Sequence, residues 1–218
     1  MVLSANTFSR YRQDLVEVQQ MLLEMGGLSE ELLGAATEAL LQRDRDALAP
    51  AEDLEAQINQ LEREIDDRCL KILALHQPAA SELRFVTMAM KIIRDIERIG
   101  DLASNVVKRS RLLLDGPEFQ IPPDLPRMSR AVREMITNAL DAFVERDVEA
   151  AAAVLDADDC VDDLNWRLFR RVETELEEST SSVSTGLKLI LIVKDLERAA
   201  DHATNIARGV IFLVHGRT

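Results

Sequence analysis

Residues Asp95–Asn105 read D-I-E-R-I-G-D-L-A-S-N, and residues Asp195–Asn205 read D-L-E-R-A-A-D-H-A-T-N. The two stretches lie 100 residues apart and share Asp, Glu, Arg, Asp, Ala and Asn at six positions. Ile/Leu and Ser/Thr are near-equivalents at two more. A repeat of this quality marks a duplicated structural unit and decides the architecture. Glu97 and Asp101 are four apart, and so are Glu197 and Asp201. On a helix that spacing puts both carboxylates on one face, one turn apart.

Around the repeat, strand signals are nearly absent and helical periodicity is nearly everywhere. Leu15, Val18, Leu22, Met25, Leu32, Ala36 and Leu40 recur at threes, fours and sevens and predict a first helix over about 8–43. Gly26-Gly27 lies inside it. Two glycines cost about 2 kcal/mol relative to alanine, so a kink or a close helix contact is expected there. A second helix is predicted over about 46–76, with Pro50 in its first turn, and a third over about 79–114. Gly116, Pro117, Pro122, Pro123 and Pro126 make 115–126 the clearest linker. Beyond it the pattern restarts, with helices over about 126–146, 148–177 and 183–215 and a hydroxyl-rich N-cap region at Ser179–Ser184. Short turns between long helices make antiparallel neighbours. The expected fold is all-α, two tandem three-helix bundles related by duplication, over residues 1–116 and 117–218.

Composition limits the function. The formal charge of −13 argues against a nucleic-acid surface and favours cations and basic partners. Cys69 and Cys160 belong to no CxxC or Cys/His cluster and read as reduced thiols. The N-terminus lacks the apolar run of a signal peptide. The longest apolar stretch, Leu189 to Val193, is far short of the roughly 20 residues that span a bilayer. A soluble, cytoplasmic protein with no membrane insertion is expected.

A weaker repeat accompanies the first. Glu55 and Asn59 align with Asp158 and Asp162 at an offset of 103 residues. Each half thus carries acids four apart, or nearly so, on its second helix and again on its third. Asn105 and Asn205 extend the third-helix stripe by a turn. Like charges at this spacing destabilise a helix by about 0.2–0.5 kcal/mol per pair. Either a cation held by oxygen ligands (Mg²⁺, Mn²⁺, Fe or Ca²⁺) or arginine must offset that repulsion. Arg98 and Arg198 directly follow the motif glutamates. The expectation is that Glu97/Asp101 and Glu197/Asp201 each face the second-helix acids of their own bundle. A di-iron oxidase of the ferritin type is disfavoured, because no Glu-x-x-His precedes His76, His202 or His215. His202 reads as a surface or helix-packing residue. No Gly-rich phosphate loop, G-x-S-x-G or Cys/His nucleophile arrangement is present.

The stretch His76-Gln-Pro-Ala-Ala-Ser-Glu-Leu-Arg84, the I-E-R-I-G-D of Ile96–Asp101, the L-E-R-A-A-D-H-A-T-N-I-A of Leu196–Ala207 and the ending V-I-F-L-V-H-G at Val210–Gly216 together resemble the PhoU family over nearly the whole chain. The resemblance implies two three-helix bundles, usually forming a homodimer. It implies Mg, Mn or iron ions at E/D-x-x-x-D motifs, here Glu55, Asn59, Glu97, Asp101, Asp158, Asp162, Glu197 and Asp201. Asn59 departs from the motif, and its neutral amide is a weaker ligand than a carboxylate. The implied role is regulatory and non-enzymatic: an adaptor between the ATPase subunit of a phosphate ABC transporter and a sensor histidine kinase, repressing the phosphate-starvation response and restraining uptake. A metal-dependent enzyme or metal store built on the same carboxylates is the rival. A purely structural role, with the motif acids paired only to Arg98 and Arg198, is the third reading.

Overall fold

The computed structural model describes residues 5–178 and 183–216 of the 218-residue chain. The helices are α1 (Ala5–Gln42), α2 (Ala51–His76), α3 (Ala80–Leu114), α4 (Leu125–Glu145), α5 (Val148–Glu178) and α6 (Val183–His215), with a 3-10 turn at Asp46–Leu48. Among the described residues there is no strand. α1, α2 and α3 form one bundle, and α4, α5 and α6 the other. α1 and α3 also pack against α4 and α6, whereas α2 packs on α1 and α3, and α5 on α4 and α6. α2 and α5 are therefore the outer flanks.

Local chemistry sets the helix ends. At the start of α5, Asp147 Oδ1 accepts the N–H groups of Glu149 at 2.8 Å and Ala150 at 3.0 Å. A carboxylate is favoured there because it satisfies N–H groups that lack intrahelical partners. Pro126 sits in the first turn of α4. Its missing N–H is one the helix would not use, so the helix starts at Leu125 and takes in the end of the expected linker. α2 starts at Ala51, not near 46 as expected. Pro50 is its capping residue, and with no N–H to donate back to the Asp46 carbonyl it keeps the 3-10 turn at Asp46–Leu48 from running on as α-helix. Of the Ser179–Ser184 stretch, 179–182 lie outside the described residues, and Ser184 is already inside α6.

The segment between the bundles is held to the end of α1. Arg45 pairs with Asp115 at 2.6 Å. The Arg43 guanidinium donates to the Phe119 carbonyl and lies 5.3 Å from that ring's centroid.

One hydrophobic core runs through both bundles. Phe85 of α3 stacks on Phe143 of α4 at 5.2 Å, and both are fully buried. Burying such a side chain contributes about 1.5–3 kcal/mol. Small residues bring the helices together. A Cβ at Gly26 would lie 2.0 Å from Leu140 Cδ1 of α4, and one at Gly209 would lie 2.8 Å from Met88 Sδ of α3. α1 is continuous through Gly26-Gly27, so the pair marks a helix contact and no break. Only Gly26 makes that contact; a Cβ at Gly27 meets nothing within 4 Å.

The two adjacent glycines should respond oppositely to alanine. Gly27→Ala is expected to raise stability by about 1 kcal/mol through helix propensity. Gly26→Ala should fall about 1–3 kcal/mol below it through overpacking. Urea denaturation of the two variants checks the ordering.

Candidate metal centres on the outer helices

The acidic pairs lie where α2 meets α3 and where α5 meets α6. In each third helix the motif glutamate, Glu97 or Glu197, is half-buried, and the following aspartate, Asp101 or Asp201, is exposed. The second helices contribute Glu55 and Asn59 on one flank and Asp158 and Asp162 on the other.

In the first bundle, Arg98 Nε lies 3.4 Å from Glu97 Oε2, and an Arg98 terminal nitrogen donates to Asp101 Oδ2 at 3.3 Å. Glu55 faces Lys108 of α3 at 3.9 Å. The Glu97 carboxyl is nevertheless held above its ordinary range. Burial is the largest cause, then the charge of Asp101; Glu62 on α2 adds to it, against the pull of Arg98. The sequence reading missed Glu62. It lies three residues beyond Asn59, on the same helix face, and its negative charge acts on Glu97 from across the seam.

The second bundle differs. Asp158 is raised first by burial, then by Asp162 on its own helix and Asp201 on α6, with Arg208 opposing. These three aspartates therefore share one electrostatic environment across the α5–α6 seam. Among the described residues, none of the three has a basic side chain within ion-pair distance. Glu197 accepts from Lys194 at 2.6 Å through Oε1, while its Oε2 is buried without a hydrogen-bond partner. A buried oxygen of this kind ordinarily has a partner. Oxygen-only donors and an unmatched buried carboxylate oxygen fit a hard cation. As the side chains are placed, however, no group of three or more His, Cys, Asp or Glu among the described residues closes to coordinating distance.

The opening Asp of each motif has a different job, which the sequence reading also missed. Asp195 of α6 pairs with Arg109 of α3 and is nearly fully buried. Burial pushes its carboxyl up, against the pull of Arg109 and Arg198. Asp95 of α3 hydrogen-bonds His202 of α6 at 2.9 Å. His202 thus has a helix-packing role, as expected. The two equivalent aspartates reach in opposite directions and tie the bundles together. Two residues before the motif glutamate, each opening aspartate lies on nearly the opposite side of its helix, but which partner it meets there depends on how the halves dock.

The fold and site thus define an all-α tandem-repeat protein with carboxylate-lined outer seams. The chain belongs to the PhoU family: the model for the PhoU domain matches it twice, at residues 22–110 and 125–210. It is 38% identical over 208 residues to the phosphate-specific transport system accessory protein PhoU homolog of Pseudomonas aeruginosa, covering 95% of this chain and 86% of that one. The homologous accessory protein of Zymomonas mobilis is 37% identical over 212 residues, covering 97% and 90%. The crystal structure of PhoU from Pseudomonas aeruginosa superposes with a TM-score of 0.89 at 38% identity, covering 95% of this chain and all of that one. That of the phosphate transport system regulatory protein PhoU from Streptococcus pneumoniae gives 0.86 at 28% identity, with 95% and 98% covered. PhoU is a family of accessory proteins and not of enzymes. No helix among the described residues is long and apolar enough to cross a membrane.

Two outcomes follow. Removing one partner of a buried ion pair costs about 3–5 kcal/mol, so Asp195→Ala should lower stability on that scale. Asp158→Asn should act in the other direction. A carboxyl raised above its ordinary value of 3.8 binds protons more tightly in the folded chain, so stability falls as pH rises through the raised value. The asparagine should therefore raise the melting temperature at neutral pH, with the gain shrinking as pH falls toward about 4. Melting curves across that range check the sign.

Proposed function

We propose that this protein is a non-catalytic adaptor of phosphate transport. It couples the ATPase subunit of a phosphate ABC transporter to a sensor histidine kinase, and it restrains uptake and the starvation response when phosphate is plentiful. It does so in the cytoplasm as a homodimer. The observation that carries this reading is the whole-chain likeness to proteins named as accessory to phosphate-specific transport systems, with both copies of the repeat intact. Deleting the gene should derepress phosphate-starvation genes in phosphate-rich medium. Unchanged transcript levels there would contradict the proposal.

The acidic seams are read as sites for positive charge, with Mg²⁺, Mn²⁺ or iron as the metals. The α5–α6 seam supports this better than the α2–α3 seam. Among the described residues Asp158, Asp162 and Asp201 have no base within ion-pair distance, whereas Arg98 and Lys108 already pair with acids of the first seam, and Asn59 supplies only an amide. Asp158, Asp162, Glu197 and Asp201 would hold the second ion. Glu55, Glu97 and Asp101, with Asn59 as a weaker donor, would hold the first. The ion's contribution is to screen the clustered carboxylates and stiffen the seam. No residue here is asked to move a proton or form a covalent bond, which separates the proposal from the rival metal-dependent enzyme or metal store.

Binding to the folded chain alone at 100 times the dissociation constant adds about 2.7 kcal/mol. Mn²⁺ should therefore raise the melting temperature. Asp158→Asn/Asp201→Asn should remove most of that shift, and Glu97→Gln/Asp101→Asn should remove less. Equal loss in both variants would count against the unequal seams. Oxygen-consuming turnover by the iron-loaded protein would favour the enzyme.

A further inference from the structure

On the outer side of the second bundle, α5 and α6 enclose an apolar groove of about 350 Å³. Trp166, Phe169 and Leu191 line it and remain 64%, 46% and 46% exposed. Leu187 and Val183, also exposed, extend the apolar surface toward the start of α6. Trp166 is the chain's one tryptophan.

The duplication supplies an internal control. Residues of α2 correspond to α5 at an offset of 103, and those of α3 to α6 at 100. The buried stripe confirms the register: Ile58 matches Val161, Ile65 matches Leu168 and Cys69 matches Val172, all buried. In that register Trp166 stands where the first bundle has Arg63, Phe169 where it has Asp66, Leu187 where it has Thr87 and Leu191 where it has Lys91. All four counterparts are exposed. The first bundle packs with polar residues at these positions, so the fold does not require apolar ones. Contiguous exposed apolar side chains on a bundle surface mark a contact site.

Shape and charge choose the occupant. A groove between two packed helices accepts apolar side chains spaced three, four and seven apart on a third helix. The groove ends at Lys194, which is occupied by Glu197, and the same α5–α6 surface runs on to Asp162, Asp158 and Asp201. Among the described residues no basic side chain lies within ion-pair distance of these acids. They would repel an anionic lipid surface, and a second copy laid on the strip about a two-fold axis would set the acids of each over the other's apolar groove. We propose that this surface docks an amphipathic helix of a partner protein. Its apolar stripe fills the groove, and its lysines or arginines lie over Asp158, Asp162 and Asp201. From Leu187 to Asp201 the strip is about 21 Å long, which a partner helix of roughly 14–18 residues covers. The inference does not depend on the phosphate role. It does rest on the second seam attracting positive charge, so the test is run with a chelator to remove competing metal.

Trp166 reports the contact directly. Two synthetic helical peptides would share a leucine stripe, and the second half of each would carry either lysines or glutamates. The lysine peptide should shift Trp166 emission to the blue in a saturable way, and the glutamate peptide should bind at least about tenfold more weakly. Phe169→Asp/Leu191→Lys installs the first bundle's own residues at exposed positions and keeps Trp166. It should weaken the lysine peptide about tenfold with an unchanged circular dichroism spectrum. Asp158→Asn/Asp162→Asn should weaken it several-fold and flatten its salt dependence. The proposal is overturned if neither peptide shifts the emission, if both bind equally, or if Phe169→Asp/Leu191→Lys binds as the parent does. It is also overturned if phosphatidylglycerol vesicles, or raised protein concentration with a doubled molecular mass, produce the shift when the peptides do not.

Discussion

Each three-helix half leaves an inner face that only the other half covers. Burial of α1 and α3 against α4 and α6 is the constraint on which everything else depends. It is met by stacked Phe85 and Phe143, by the close approaches at Gly26 and Gly209, and by the charged ties from Asp195 to Arg109 and Asp95 to His202. The apolar contacts supply most of the free energy, because each buried aromatic contributes about as much as several surface ion pairs. The buried Asp195–Arg109 pair contributes more to the register of docking than to net stability, since desolvation offsets much of its attraction. Docking this way consumes the inner helices. It leaves α2 and α5 outside, so their seams with α3 and α6 are the surfaces free for function.

The duplicated seams have diverged in charge balance. In the first, Arg98 and Lys108 lie within reach of Glu97, Asp101 and Glu55. In the second, Arg208, the equivalent of Lys108, opposes the raised carboxyl of Asp158 but turns its hydrogen bonds to Thr204 and Asn205. The influence of Arg198 falls on Asp195. In one seam the bases thus pair with the motif carboxylates, while in the other three aspartates beside an apolar groove have no ion-pair partner among the described residues. Two copies of one motif therefore present different surfaces.

Much of this was legible in the sequence. Helical periodicity placed all six helices, and the repeat at 100 residues gave the two bundles, because core burial imposes the same spacing in each half. Proline rules explain where the boundaries moved: Pro50 delayed α2, and Pro126 was absorbed into α4. The acidic positions were also visible. What was not visible depends on packing between distant segments. Nothing near Asp195 in the sequence points to Arg109, and nothing near Gly26 points to Leu140. Glu62 falls outside the four-residue motif spacing, and its nearness to Glu97 depends on how α2 packs on α3. The exposed face of Trp166 and Phe169 reads as ordinary helical apolar content until the structure shows it turned outward.

The central claim is that the aspartates of the second seam, Asp158, Asp162 and Asp201, are the ones left without an ion-pair partner among the described residues. It is tested most directly by an anomalous-scattering map of crystals soaked in Mn²⁺. The account predicts the stronger peak between α5 and α6, beside Asp158 and Asp201, with a weaker one or none between α2 and α3. Peaks of equal height in both seams, or a peak beside Glu97 alone, would contradict it.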